Sequence, residues 1–489
     1  MKYMYALMLM LLFTSCERWF DYHPYDVRIK GETDINAKNI KLIEEKCKDK
    51  STLCFAVISD SHGWYSETKD AVASINANPN IDFVIHGGDL TDCGTTKEFM
   101  WQRDVLFDLR VPYVALIGNH DFLGTGDETF SRMYGDLDFS FIASRIKFVC
   151  LNTNATEYDY LAAVPNFDYI EEQLTANADK FDRTIVCMHA RPYSDQFNNN
   201  VAKAFEHYIR LLPQMMFCIN GHDHRLQKDE LYNDGTVYYG ADCMAHRNYL
   251  IFTVTPDSYE YEVVYFSLIL LMFAQPVGVM AQTDSLEIQE SQIEKPRSVQ
   301  RYERRVRRYQ KRWYALMPTH SVIHYAGNMG LISVGAGWDY GKHRQWETQL
   351  FVGVLPKYDS NRTKITMTLK ENYVPWHIPT KKWGWQIEPL SCGLYFNTVF
   401  GGEFWSREPD RYPEDYYPLL KTKVRANVFL GQRITKAIPH NKRKFLAKSV
   451  TLYYEISTCD LYIRAMVQDK TLKLSDIIGL SLGVKMQIF

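Results

Sequence analysis

The sequence predicts two folded parts in one chain of 489 residues. The first is an α/β domain over residues 51–266, and the second is an antiparallel all-β domain, read as a barrel, over residues 320–489. Three observations predict this. Between Cys54 and Phe266, short apolar runs alternate with stretches whose apolar residues recur at helical spacing. From His320 onward, apolar and polar residues alternate with period two, in strands of about ten residues. Between the two parts, Val263 to Thr283 carries no charge.

The ends and the composition limit the function. The net charge of −2 gives no field for nucleic acid, so no nucleic-acid partner is expected. Met1 to Cys16 looks like an export signal, with Lys2 as the charged start and Tyr3 to Phe13 as the apolar core. Thr14-Ser15-Cys16 resembles a bacterial lipoprotein processing site, which implies cleavage before Cys16 and lipid on its sulfur. A plain signal peptide or an uncleaved anchor is the alternative. Either way the expected location is the bacterial cell envelope, at the outer membrane or in the periplasm. Of ten cysteines, Cys54, Cys150, Cys187 and Cys218 lie in apolar runs and are expected as core residues. Cys47 with Cys54, or Cys392 with Cys459, remain open to pairing.

Taken in order, residues 17–50 read as a tether with a short helix over Asn39 to Cys47. Strands are expected at Phe55 to Ile58, Phe83 to Ile85, Tyr113 to Ile117, Ile185 to Met188 and Met215 to Ile219. Helices are expected at Glu67 to Asn76, Thr95 to Asp108, Phe167 to Ala178 (capped by Asp168) and Val201 to Leu212. After Leu226 only strands follow, at Arg225 to Leu231, Val237 to Tyr239, Tyr249 to Thr255 and Tyr259 to Phe266. Residues 124–140 and 153–165 read as loops lining a pocket.

The segment 267–283 resembles a second export signal inside the chain, the relic of two joined reading frames. A membrane helix is the alternative at this length. Residues 284–319 form a basic linker, with seven Lys or Arg and one Glu between Arg301 and Arg312.

In the C-terminal part, alternation is clear at Ile332 to Trp338, Trp346 to Val354, Ile365 to Leu369, Val450 to Ile456, Leu461 to Val467 and Leu480 to Ile488. It fits an outer-membrane barrel of roughly 8 to 12 strands with one face to lipid and one to the lumen. A soluble β-sandwich shares the pattern. Trp338, Trp346, Trp376, Trp383, Trp385 and Trp405 are expected near strand ends, as an aromatic girdle, and Phe489 closes the last strand.

Chemistry-bearing residues gather at the strand ends of the first part. They are Asp60 and His62, Gly88-Asp89, Gly118-Asn119-His120-Asp121, the lone His189, and Gly221-His222-Asp223-His224. The last two histidines face one side if that segment is extended. Five such blocks in this order resemble the calcineurin-like metallophosphoesterases over residues 53–266. The resemblance implies a four-layer αββα sandwich and a pair of divalent or trivalent ions, Zn, Mn or Fe, which mixed nitrogen and oxygen ligands suit. It implies that Asp89 bridges the ions, that Asp60, His62 and His224 complete one site, and that Asn119, His189 and His222 complete the other. The implied reaction is hydrolysis of a phosphomonoester or phosphodiester by a hydroxide held between the metals. His120 would stabilise the phosphoryl group or protonate the leaving alkoxide, with Asp121 orienting it. Arg191 and His246 are candidates for touching substrate, and Arg191 has a surface ion pair as its alternative. Asp92 and His86 read as structural. The expected partners are a phosphoester small molecule or lipid head group, and a membrane through Cys16 and the barrel. The rival reading is a surface or pore barrel with an accessory phosphoesterase-like domain.

Overall fold

The computed structural model describes residues 20–158, 162–266, 316–380, 384–413, 416–417, 422–439 and 447–488. The export-type segment with Cys16, the apolar segment 267–283, all but the last four residues of the basic linker, Trp383 and Phe489 lie outside the described residues.

The first part is built from two sheets. One holds β1 (Leu53–Ile58), β2 (Phe83–His86), β3 (Tyr113–Ala115), β10 (Asn248–Val254) and β11 (Tyr259–Tyr265), in the order β11-β10-β1-β2-β3. The other holds β4 (Phe139–Ala143), β5 (Ile146–Leu151), β6 (Arg183–Met188), β7 (Met215–Asn220), β8 (Gln227–Asp229) and β9 (Val237–Gly240), in the order β4-β5-β6-β7-β9-β8. Their inner faces share one core. Phe55 stacks on Phe83 at 5.2 Å between ring centroids, and Phe148 of the facing sheet meets both edge-on. Both faces of the central strands are covered, which is why β1 reads as an unbroken apolar run and β2 as one up to His86.

Helices close the outer faces. α1 (Ile35–Cys47) closes the edge where β3 and β4 meet, and on the first sheet lie α2 (Tyr65–Ala77), α3 (Thr96–Leu106) and α4 (Gly126–Met133). On the second lie α5 (Phe167–Gln173) and α6 (Ala202–Arg210). The layers are therefore αββα. Three local expectations are corrected. Helix α5 ends at Gln173 and is capped by the Asn166 side chain, not by Asp168. The span 124–140 holds α4 and the start of β4 in place of a loop. The segment 20–34 does not hang as a tether: Phe20, Tyr22, Tyr25 and Val27 are buried between the two parts of the chain.

The second part is a closed antiparallel barrel. Its eight strands are β12 (His320–Ala326), β13 (Ile332–Tyr340), β14 (Trp346–Leu355), β15 (Lys364–Tyr373), β17 (Trp385–Phe400), β18 (Val424–Ala437), β19 (Ser449–Cys459) and β20 (Gly479–Gln487), and the short β16 (Ile378–Pro379) pairs at the rim. Pairing of β12 with β20 and of β15 with β17 leaves the barrel without an open edge. The alternation points outward with its apolar side. Val334, Leu369 and Leu430 are 56%, 52% and 60% exposed, while Lys370 and Glu455 are 0% and 1% exposed in the lumen. Lys370 pairs there with Glu455, and Arg433 and Lys485 with Glu347. This is the reverse of a soluble sandwich, whose apolar faces would be hidden. Among the described residues, no helix is long and apolar enough to cross a membrane, which leaves open a crossing made by strands.

Two expectations fail within the barrel. Leu461 to Val467 is not a strand. Asp460–Gln468 forms α7, which buries Leu461, Tyr462 and Ala465 on one face and leaves Val467 exposed. Those residues also alternate in sequence, and contact with Trp101 of α3 through Tyr462 is what selects the helix. Trp405 does not join a girdle but packs among Tyr412 and Tyr417. Both proposed cysteine pairs, Cys47 with Cys54 and Cys392 with Cys459, remain free thiols.

Candidate metal centre

The strands of the two sheets deliver the polar blocks to one rim. Asp60 and His62 follow β1, Asp89 follows β2, Asn119 and His120 follow β3, His189 follows β6, and His222 and His224 follow β7. The backbone there is bent away from ordinary geometry. Asp60, His62, Asp89, His222 and His224 all have positive φ, between 43° and 70°. Side-chain-bearing residues avoid that region, at a cost of about 1 kcal/mol or more each, and such strain gathers at functional sites. The expectation that His222 and His224 lie on an extended segment is corrected by this: the turn, not strand alternation, aims them.

Two glycines make room for the centre. Gly88 has φ 105°, and a Cβ on it would lie 2.5 Å from His189 Nδ1. A Cβ on Gly118 would lie 2.1 Å from Asp89 Oδ1.

The first cluster is Asp60, His62, Asp89 and His224, whose ligand atoms all lie within 4.8 Å of one another. His224 Nε2 is 3.2 Å from Asp60 Oδ1 and 3.1 Å from His62 Nε2. His62 Nε2 is 3.6 Å from Asp89 Oδ2. The second cluster uses the same carboxylate oxygen: His189 Nε2 is 3.3 Å from Asp89 Oδ2 and 3.1 Å from Asn119 Oδ1. His222 Nδ1 lies 2.9 Å from the same amide oxygen.

The hydrogen bonds on the far side of each ring decide what these nitrogens are. His189 Nδ1 faces the Gly87 carbonyl at 2.8 Å, so Nδ1 carries the proton. His222 Nε2 faces Asp195 Oδ1 at 2.7 Å, so Nε2 carries it. In the neutral rings, His189 Nε2 and His222 Nδ1 are then lone pairs aimed at oxygens that also carry only lone pairs. Such an arrangement needs positive charge in its middle, as a proton or a metal ion. The donor set of imidazole nitrogen, carboxylate and amide oxygen fits a first-row divalent ion.

The titration of the metal-free groups carries the same message. Burial pushes the His189 imidazole down, but the Asp89 and Asp60 carboxylates outweigh it and raise its pKa to about 10. Burial pulls Asp89 up, and the surrounding His189 and His120 charges more than reverse this, holding it well below the usual carboxylate range. His62 behaves oppositely: burial and then the neighbouring His120 lower it to about 4.

His120 stands beside the clusters, its ring 4.5 Å from that of His62. Its Nδ1 meets the Asp92 carbonyl at 2.8 Å, which leaves Nε2 as the free nitrogen. The expectation that Asp121 orients this ring is corrected. The Asp121 carboxylate instead accepts from the Leu90, Thr91 and Gly118 amides and from the Thr91 hydroxyl, tying the β2 and β3 loops together. Arg191 is engaged by Asp223 at 2.7 Å, the ion-pair alternative. His246 pairs with Asp242 at 2.7 Å and is largely exposed. His86 is buried and bonded to Ser61.

Four contributors have no sequence signal. Asp195 orients His222, Glu157 and Tyr417 reach the centre together, and Arg464 of α7 meets Asp92 at 2.9 Å. None lies in a motif or at fixed spacing from one, and two come from the barrel part.

Known proteins match the same region. Residues 54–226 fit the calcineurin-like phosphoesterase family, and this part of the chain belongs to it. That family implies divalent metal ions at the centre. A 3',5'-cyclic-nucleotide phosphodiesterase of Nostoc sp. is 24% identical over 163 residues, which cover 32% of this chain and 60% of that protein. Purple acid phosphatase 3 of Arabidopsis thaliana is 23% identical over 248 residues, covering 42% of this chain and 67% of its own. The chain thus spans about two thirds or less of these relatives. Among solved structures, the yellow lupin purple acid phosphatase PPD1 superposes with a TM-score of 0.34 at 14% identity, over 44% of this chain and 52% of its own. Residues 54–226 are accordingly a calcineurin-like phosphoesterase domain, and a closed antiparallel β-barrel follows it in the chain.

Proposed function

We propose that this protein is an exported phosphoesterase, lipid-anchored through Cys16, that hydrolyses a phosphomonoester or phosphodiester at two cations sharing Asp89. One observation carries the reading: a single carboxylate oxygen, Asp89 Oδ2, lies within 3.6 Å of ligand nitrogens from both clusters. Asp60, His62 and His224 would hold one ion, and Asn119, His189 and His222 the other, as Zn, Mn or Fe. When bound, such a pair acidifies water and clamps the attacking and leaving oxygens of an in-line displacement. The chain's own contributions are positional. Gly87 and Asp195 fix which nitrogens of His189 and His222 are free, and the Asp92 carbonyl directs His120 Nε2 toward the reacting phosphoryl group and its leaving oxygen.

The relatives' activities, on a cyclic nucleotide and as an acid phosphatase, support both ester classes, with a small molecule or a lipid head group as substrate. The apolar exterior and charged lumen support insertion of the barrel in an outer membrane. Its described loop residues 401–413 and 460–478 lie at the phosphoesterase end, and 341–345 and 374–380 at the other. In outer-membrane barrels the longer loops face outward, so the reading extends to a phosphoesterase at the cell surface. The rival reading as a pore is disfavoured by the lumen. Eight strands leave room only for side chains, and buried ion pairs occupy it.

The test is metal analysis and turnover of a chromogenic phosphodiester by the purified chain in detergent. We expect two ions per wild-type chain, fewer in Asp89→Asn, and a 100- to 10,000-fold lower rate in His120→Ala with metal retained (about the range for a lost acid–base group). Full metal content and rate in Asp89→Asn would overturn the reading.

A further inference from the structure

The barrel reaches into the metal centre. Residues 401–423 connect β17 to β18, and within them Tyr417 comes to the rim of the phosphoesterase sheets. Its ring lies 5.1 Å from that of His120. Its hydroxyl lies 2.9 Å from Asn119 Nδ2 and 2.8 Å from Glu157 Oε1. Glu157 also accepts from the Tyr412 hydroxyl at 2.7 Å and from Gln196 Nε2 at 2.8 Å.

The direction of these bonds has a consequence. Both Glu157 oxygens accept, Oε1 from Tyr417 and Gln196 and Oε2 from Tyr412, so the Tyr417 proton goes to Glu157. The Tyr417 oxygen is then left with lone pairs alone, and the Asn119 group facing it must be the NH2. That choice turns Asn119 Oδ1 the other way, onto His189 Nε2 and His222 Nδ1. An asparagine amide flipped by half a turn would present N–H donors to the cation site and could not ligate. Two orientations of similar shape are thus separated by one tyrosine proton.

We propose that Tyr417 is a positioning residue for Asn119, and that the relay from Glu157 through Tyr417 makes the phosphoesterase centre dependent on the barrel part of the same chain. The inference rests on the reading of Asn119 as a metal ligand. Other contacts hold the two parts in the register that the relay needs. Arg464 of α7 meets Asp92, and Asp469 accepts from the Ser66 amide at 2.6 Å. The buried segment 20–30 bonds to both sides, with Asn328 N donating to the Asp21 carbonyl and Thr125 Oγ1 to that of Tyr25.

The experiment is titration of Zn2+ into the chelator-stripped, full-length chain in detergent, read as the number and affinity of bound ions. Tyr417→Phe keeps the ring and removes the proton. Glu157→Leu keeps much of the volume and removes the acceptor of the Tyr417 proton. We expect each to weaken one of the two ions by 10- to 100-fold, about the usual effect of losing a partner behind a ligand. The double variant should lose little more than either alone, because both act on one amide. Tyr416→Phe, whose hydroxyl meets Gln196, should keep both ions. If Tyr417→Phe does not fold, Glu157→Leu carries the test. Wild-type affinity in either relay variant, while Asn119→Ala loses an ion, would overturn this proposal and leave the metal reading standing. Retention of both ions by Asn119→Ala would instead remove the ligand assignment beneath it.

Discussion

At the scale of single residues, the centre is held by groups that never touch a cation. Asp121 is the clearest. Its buried carboxylate satisfies three amides and a hydroxyl from two loops, and burial together with the Asp89 charge raises its pKa to about 7. Asp121→Ala would leave those donors unpaired in the interior. The expected outcome is a loss of about 2–4 kcal/mol in the stability of the phosphoesterase part, read from its thermal midpoint. An unchanged midpoint would show that water takes over the role. Gly118 matters for a different reason. Its α-carbon sits so close to Asp89 that an added methyl would occupy the carboxylate's place. Gly118→Ala is therefore expected to bind less than one ion per chain while keeping its helical circular dichroism.

At the scale of elements, α3 links the site to the buried segment 20–30, through Thr96 to the Pro24 and Asp26 carbonyls. Its N-terminus carries a capping box, in which Thr95 Oγ1 accepts from the Glu98 amide and Glu98 Oε2 accepts from the Thr95 amide. Burial, then the nearby Asp92 charge, pushes the Glu98 carboxyl up to about 7. Between about pH 4.5 and 7 the folded chain therefore keeps a proton that the unfolded chain releases. The stabilisation is fully present below pH 4.5 and is lost as pH rises through 7, by about 3 kcal/mol. In metal-stripped protein, Glu98→Gln should remove that slope, because the amide oxygen still accepts and never ionises. A wild-type slope in the thermal midpoint of the variant would sink the assignment.

At the scale of the whole molecule, the proposed reading makes the barrel both an anchor and a support of the site. Its apolar exterior and closed hydrogen bonding predict heat-modifiable migration in detergent gels and extraction only with detergent. With the phosphoesterase at the long-loop end, intact cells should hydrolyse a membrane-impermeant phosphoester, and added protease should abolish this. Recovery of the chain in the soluble fraction, or activity seen only after lysis, would refute the membrane arrangement. The burial of residues 20–30 between the two parts has a further meaning. This stretch forms a shared seam, so the two parts are fixed to each other by more than the connection after Phe266.

Much of this was legible in the residues themselves. Asp60, Asp89 and His189 are readable only as members of five blocks in order, since a lone histidine after a buried strand is more often a core or solvated residue. The barrel announces itself through Ile365 to Leu369 and Leu480 to Ile488, because a two-residue period survives in any register. The helix at Asp460–Gln468 was not legible, since alternating apolar residues satisfy either structure until a neighbour such as Trp101 selects one. The orientation of Asn119 was not legible either, because its partner Tyr417 lies 298 positions away. The sequence by itself determined which residue types stand at the strand ends and the in–out pattern of the barrel, since both depend on residue type and local period. Only the tertiary structure decided which distant tyrosine and carboxylate bond to the Asn119 amide, because a hydrogen-bond direction exists only once three side chains from separate elements meet.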